Sequence, residues 1–190
     1  MKIVLATRNK GKIIEIKEIL ADLKLEILSL YDFPSPSLPI VEDGETFKEN
    51  ALKKARYAAQ HLKMITLADD SGLEVKALAN RPGILSARYA GENATDRENN
   101  IKLIKELEGL PIENRHACYK CSIAIVFPSG AEEIVEGICC GFIAIEPVGE
   151  HGFGYDPLFY LPKYGKTMAE LPSGLKNSIS HRAKALAKLR

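Results

Sequence analysis

Asp69 and Asp70 stand side by side between Ile65-Thr66-Leu67-Ala68 and Ser71-Gly72. Two adjacent carboxylates closing a β-prone apolar run can ligate a hard cation, and one can take a proton from water. Asp, Ser and Gly are also turn formers, so a plain turn is the competing reading. A second acidic group, Glu42, Asp43, Glu45 and Glu49, leads into a helical stretch. Oxygen donors with no histidine among them suit Mg2+, which binds through few carboxylates together with substrate phosphates. Glu45 and Glu49 have a simpler explanation as first-turn groups of a helix. Glu42 lies just before that helix and Asp70 just after the next strand, ends that are neighbours in a βαβ layer. Glu42, Asp70 and Asp69 are therefore the candidate metal ligands.

A basic cluster, Thr7-Arg8-Asn9-Lys10-Gly11-Lys12, follows the apolar run Lys2–Ala6. A strand, short loop and helix start can hold phosphate through backbone N–H groups and a lysine. The alternative is an ordinary βα turn. A third cluster comprises Phe153-Gly154-Tyr155-Asp156, Lys176, Ser180, His181 and Arg182. An aromatic ring, open backbone amides and a carboxylate suit stacking on and hydrogen bonding to a base. Cations at a helix start gain nothing from its dipole, so His181 and Arg182 call for an anionic or polar partner.

Other patterns carry less. Gly165-Lys166-Thr167 resembles the end of a phosphate-binding loop, but Tyr160 occupies the position that motif reserves for glycine. The four histidines show no metal-ligand spacing. Cys118-x-x-Cys121 invites a zinc or redox reading, yet residues three apart on a strand face opposite ways. Together with Cys139-Cys140 these thiols read as small buried apolar groups.

The elements that must hold these clusters follow from periodicity. Lys2–Ala6 predicts a buried strand, Ile13, Ile16, Ile19 and Leu20 the stripe of a helix, and Leu25–Leu30 a second strand. Tyr31–Ile40, with three prolines, predicts an irregular connection. Thr46-x-x-Glu49 is a capping box opening a long helix buried through Phe47, Ala51, Ala55, Ala58 and Leu62. Lys48, Lys53, Lys54 and Arg56 fall on its solvated face. Leu73–Leu78 reads as a separate extended piece after the Ser71-Gly72 turn. Thr95-x-x-Glu98 caps a further helix with Ile101, Ile104 (or Leu103) and Leu107 inward, ended by Gly109 and Pro111. Ala117–Phe127 and Glu132–Ile145 read as an antiparallel pair turning at Pro128-Ser129-Gly130, with Glu132, Glu133 and Glu136 on an exposed edge. A helix starting near Ser180 ends the chain.

Strand–loop–helix–strand order followed by a hairpin predicts an α/β fold: an elongated mixed β-sheet with flanking helices, in two lobes around a central cleft. Residues 1–190 form one domain with no independent boundary. The 46% apolar and 27% charged composition is that of an ordinary globular chain, and a formal charge of +1 argues against a broad nucleic-acid or membrane surface. The first residues turn polar after five positions, which predicts no secretory leader, and the expected location is cytoplasmic.

The clusters together resemble the inosine triphosphate pyrophosphatase family, the non-canonical purine nucleoside triphosphate pyrophosphatases. The motifs are Thr7-x-Asn9-x-x-Lys12, Thr46-Phe47-x-Glu49-Asn50-Ala51-x-x-Lys54-Ala55, Ala68-Asp69-Asp70-Ser71-Gly72-Leu73, Pro82-Gly83-Ile84-x-Ser86-Ala87-Arg88-Tyr89, Gly152-Phe153-Gly154-Tyr155-Asp156-Pro157 and Ser180-His181-Arg182. The resemblance runs from Lys2 almost to the C-terminus. It implies Mg2+-dependent hydrolysis of ITP, dITP and XTP to the monophosphate and pyrophosphate by a cytosolic homodimer. It assigns the triphosphate to Thr7, Arg8, Asn9, Lys10, Gly11 and Lys12; in the mechanism these residues suggest, Lys12, Lys54 and Lys176 offset negative charge in the transition state. Glu42 and Asp70 fall on the metal-associated positions, with Asp70 the proton acceptor; beside them Asp69 is a further candidate metal ligand or orienting partner. Ser71, Phe153, Gly154, Tyr155, Asp156, Lys176, His181 and Arg182 fall on substrate-contacting positions. Arg8 stands where many members have a small polar residue, and Asp43-Gly44 where Thr-Gly is common. Two rival expectations are a sister pyrophosphatase with another base preference and a non-catalytic nucleotide-binding regulator.

Overall fold

A computed structural model describes residues 1–33 and 42–189. Its elements in order are β1 (Lys2–Leu5), α1 (Lys10–Ile19), β2 (Glu26–Ser29), α2 (Phe47–Leu62), β3 (Thr66–Val75), β4 (Arg81–Pro82), α3 (Asp96–Glu106), β5 (His116–Val126), β6 (Glu132–Ile143), β7 (Phe159–Leu161), β8 (Lys166–Thr167), α4 (Ser173–Ile179) and α5 (His181–Leu186), with short 3-10 turns between. The strand order is β2-β1-β3-β5-β6-β7-β8, with β4 paired to β3. β1 runs parallel to both β2 and β3, while β7 is antiparallel to β6 and β8. The expected α/β class with a mixed sheet and flanking helices is thus the one the chain adopts.

The chain divides into two compact units, and neither is continuous in sequence. Unit 1 comprises residues 1–70, 121–137 and 182–190; unit 2 comprises 71–120 and 138–181. In unit 1, Ile3, Leu5, Ile13, Ile16, Leu67, Ile123 and Leu186 form one core. A second core there consists almost wholly of alanines, Ala6, Ala51, Ala55, Ala58, Ala59, Ala68 and Ala124. Small side chains on α2 let its backbone lie close to the strands beneath it. In unit 2, Leu73, Leu103, Leu107, Ile143, Leu158, Phe159 and Met168 are the centre. Gly141 is required here because a Cβ would overlap the Tyr160 carbonyl of the paired strand.

Several sequence expectations need correction. β3 does not end at the aspartates: it runs through Ser71 and Gly72 to Val75 without interruption. The turn-forming types are overridden by burial, with Leu73 and Val75 fully enclosed. The Thr46 hydroxyl accepts from the Glu49 N–H, but the Glu49 carboxylate accepts from Glu45 rather than closing a box. The Thr95–Glu98 box is complete in both directions. On α3, Leu103 and Leu107 are buried while Ile101 is exposed. β5 buries Ala117, Tyr119, Cys121 and Ile123 and, on its other face, Ser122, Ala124 and Val126; Phe127, just beyond it, is exposed. β6 carries its three glutamates exposed, and β7 pairs with it at Phe142 and Ile143, away from them. The C-terminal helix starts beside Ser180 as read, at His181, and a further helix, α4, precedes it. The proline-rich connection lies, beyond Phe33, outside the described residues.

Candidate active site

Unit 1 gathers a buried charge cluster around β3. Asp69 is enclosed, and its carboxylate accepts from Arg182 Nε at 3.1 Å and from Cys121 Sγ at 2.9 Å, and pairs with Lys12 Nζ. Arg182 is itself buried and pairs with Glu15 of α1 as well. Burial alone would raise Asp69; Arg182 and Lys12 overcome it and hold the carboxyl well below the usual range. The same carboxylate, with burial, pushes the Cys121 thiol up, so Cys121 is a neutral S–H donor. The anionic partner that Arg182 required is therefore within the protein.

The loop ahead of α1 is built as a helix N-terminus. Asn9 caps the helix, its Oδ1 accepting from the Lys12 N–H at 3.0 Å, and the Thr7 hydroxyl accepts from the Asn9 N–H at 3.1 Å. Arg8, Asn9 and Lys10 are exposed, and Thr7, Gly11 and Lys12 half-buried. Tyr31 donates to the Arg8 carbonyl at 2.9 Å and fixes the loop. The ten-residue helix thus presents its first N–H groups beside two lysines and an arginine, an arrangement suited to phosphate.

Lys54 joins two further carboxylates. Its Nζ donates at 2.7 Å to both Glu42 and Asp70. The sequence reading placed Lys54 on the solvated face of α2; it is buried, because it lies three residues after Ala51 on the inward stripe. Burial opposes its charge, but Asp70 and Glu42 keep it protonated and raise it. One ammonium shared by two carboxylates leaves a net negative charge. Burial pushes Asp70 up against the pull of Lys54 and Lys12, with the charge of Glu42 adding a smaller push. Gly44 secures the approach to α2: its N–H donates to Asn50 Oδ1 at 2.8 Å, and a Cβ there would meet that oxygen at 2.6 Å.

These distances decide which carboxylates fit a cation. Glu42 and Asp70 present hard oxygens around one position now spanned by an ammonium, and Glu42 is partly exposed. The Asp69 oxygens are engaged by Lys12, Arg182 and Cys121. Among the described residues, a cluster able to coordinate a metal also exists elsewhere: His116, Cys118 and Cys140.

Unit 2 holds the third cluster. Asp156 accepts from the Phe153 N–H at 2.9 Å, pairs with Lys176, and takes the Tyr119 hydroxyl at 3.4 Å. The Lys176 ammonium lies 5.1 Å from the Phe153 ring centre. His181 stacks on Tyr119 with centroids 4.7 Å apart and planes 10° from parallel. Tyr155 donates to the Ser86 carbonyl at 2.8 Å; burial and the charges of Tyr89 and Asp96 raise its phenol. Gly152 has φ of +81° and its Cβ position is filled by Asp156 and Lys176, so only glycine fits. Ser71 is half-buried, directly after Asp70 in β3.

Sequence reasoning missed the supports of this loop. Asp96 of α3 accepts from the Gly154 N–H at 2.7 Å, and Asn100 donates to the Gly154 carbonyl at 2.9 Å. Spaced i, i+4, they clamp one peptide residue from one helix face. Glu15, Asn50, Tyr119 and Cys121 were also missed. All but Asn50 act on partners distant in sequence, and no local pattern marks them.

The cysteines divide differently from expectation. Cys121 and Cys139 are buried thiols as read, but Cys118 and Cys140 form a disulfide across β5 and β6. Cys118 and Cys121 have separate surroundings, one bonded to Cys140 and the other to Asp69.

Comparison with known proteins adds to this geometry. The model of the Ham1 family matches residues 3–190. The chain is 52% identical to the dITP/XTP pyrophosphatase of Geobacillus kaustophilus over 188 residues, which cover 99% of this chain and 92% of that relative. It is 53% identical to the dITP/XTP pyrophosphatase of Geobacter sulfurreducens over 190 residues, covering 100% and 94%. Among solved structures, a HAM1 protein from Coxiella burnetii is 45% identical with a TM-score of 0.87, covering 100% of this chain and 96% of that one. The Ham1 protein of Staphylococcus aureus is 43% identical with a TM-score of 0.86 and the same coverage.

Proposed function

This chain belongs to the Ham1 family, and on that premise we propose that it hydrolyses non-canonical purine nucleoside triphosphates, dITP, ITP and XTP, to the monophosphate and pyrophosphate. The observation that carries the reading is the Lys54 ammonium shared between Glu42 and Asp70, beside the basic helix start of α1. Glu42 and Asp70 are the residues that would hold Mg2+. Bound there, the ion supplies positive charge to phosphate oxygens.

The chain's own groups do the rest. The loop of Thr7, Arg8, Asn9, Lys10, Gly11 and Lys12 binds the triphosphate through its cations and the helix-start N–H groups of Lys10 and Gly11, and Lys54 and Lys176 offset charge that develops as the anhydride opens. Asp70, with its carboxyl raised by burial, accepts the proton of the water that attacks the α-phosphorus. Asp69, committed to Lys12 and Arg182, orients Lys12. Phe153 stacks on the base, while the Tyr155 amide with Ser71, Asp156, Lys176 and His181 reads its edge; Gly154, its N–H and carbonyl held by Asp96 and Asn100, sets the shape of that loop. Groups arranged to accept a 6-oxo purine leave the adenine amino group poorly paired. Arg182, wholly enclosed, acts through Asp69 rather than on substrate. The protein works in the cytoplasm as a homodimer, with no nucleic-acid or membrane partner.

The test is a set of initial rates with Mg2+ on dITP, XTP, GTP, ATP and dTTP. The proposal predicts dITP and XTP far ahead of ATP. Equal rates on ATP and dITP refute the base selectivity.

A further inference from the structure

On β5 and β6 of unit 2, Cys118 and Cys140 stand opposite one another with Cα atoms 4.0 Å apart. His116 lies two residues before Cys118, so it shares that strand face. The His116 nitrogen and the two sulfurs lie within 4.8 Å of one another. His116 and Cys118 are half-buried and Cys140 is exposed. None of the three has a role in the phosphate or base chemistry above. We propose that, when the disulfide is reduced, His116, Cys118 and Cys140 form a three-ligand site for a tetrahedral, thiolate-seeking cation of the Zn2+ class.

The chemistry balances with a dithiol as reductant. One thiolate of the dithiol attacks a protein sulfur, the S–S bond breaks, and a mixed disulfide forms. The second thiolate closes on the first, so the dithiol leaves oxidised and both cysteines are thiols. The cation then displaces the two thiol protons, which pass to solvent, and binds two thiolates and the imidazole. Zn–S bonds of about 2.3 Å and Zn–N bonds of about 2.0 Å need ligand atoms roughly 3.5 Å apart. Atoms already within 4.8 Å reach that spacing by side-chain rotation on fixed strands. The Phe142 ring, perpendicular to the His116 ring with centroids 5.7 Å apart, packs against the imidazole and steadies it. Exposure of Cys140 supplies an entry path and leaves the fourth position to water. The oxidised pair cannot serve, because disulfide sulfurs are neutral, poor donors and only the thiolates bind such a cation strongly.

The experiment uses the full chain, reduced with dithiothreitol, desalted without oxygen, and titrated with Co2+. The reduced protein is expected to take up one equivalent with a near-ultraviolet thiolate-to-cobalt band, displaced by Zn2+. The oxidised protein gives no band. His116→Ala, which leaves the bridge intact for folding, weakens Co2+ binding at least about tenfold once reduced. The double variant Cys118→Ser, Cys140→Ser abolishes the band. A reduced wild-type protein without the band overturns the proposal. So does a band that survives in the double variant, which would trace it to Cys121 or Cys139.

Discussion

Asp70 and Asp69 are neighbours in sequence but have opposite electrostatic surroundings. Burial raises Asp70 against the pull of Lys54 and Lys12; Asp69, also buried, is lowered because Arg182 and Lys12 outweigh its burial. This divides their work into base and anchor. Asp70→Asn removes the proton acceptor while keeping size and hydrogen bonding. Turnover of dITP is expected to fall roughly 10²–10⁴-fold with nucleotide binding largely kept; unchanged kcat refutes the assignment. Arg182→Met leaves Asp69 and Glu15 buried without their guanidinium. The expected loss is about 3–5 kcal/mol in urea unfolding, and a loss under about 1 kcal/mol denies the anchoring role. Residue types alone showed that Asp69, Asp70 and Arg182 mattered. They did not show the division, because Arg182 meets partners 113 and 167 positions away.

At the scale of elements, α3 shows how the base-reading loop is held. Its N-terminus is fixed by the Thr95–Glu98 box, and its first two turns bring Asp96 and Asn100 to Gly154. Thr95→Ala is expected to cost about 1 kcal/mol, measured by thermal or urea unfolding. Asn100→Ala removes one half of the clamp and is expected to raise KM for dITP several-fold with a smaller change in kcat; an unaltered KM argues that Asp96 alone suffices. Caps such as Thr46 and Thr95 were legible because their signal is local. The continuity of β3 was not, since Asp-Asp-Ser-Gly is turn composition until tertiary burial is known. Lys54 was misread for the same reason: a helix lysine is solvated by default, and only carboxylates from other elements make its burial tolerable.

For the whole molecule, the α/β class followed from the order of periodic segments, whereas which segments make up each compact unit did not, because the chain passes between the two within β3, β5, β6 and α5. Acid stability belongs at this scale. Asp69 titrates below its unfolded value, so its contribution is present above the ordinary aspartate pKa of about 3.9. That contribution is lost as pH falls through the lower folded value. The unfolding midpoint is expected to drop steeply below about pH 4 in the wild type and less steeply in Asp69→Asn; parallel acid limbs would contradict it. No helix among the described residues is long and apolar enough to cross a membrane. The central claim concerns the whole machine, that water attacks the α-phosphorus of a triphosphate. Hydrolysis of dITP with Mg2+ in 18O-labelled water tests it most directly. The account predicts unlabelled pyrophosphate and a monophosphate carrying the label; orthophosphate with a nucleoside diphosphate, or label in the pyrophosphate, would contradict it.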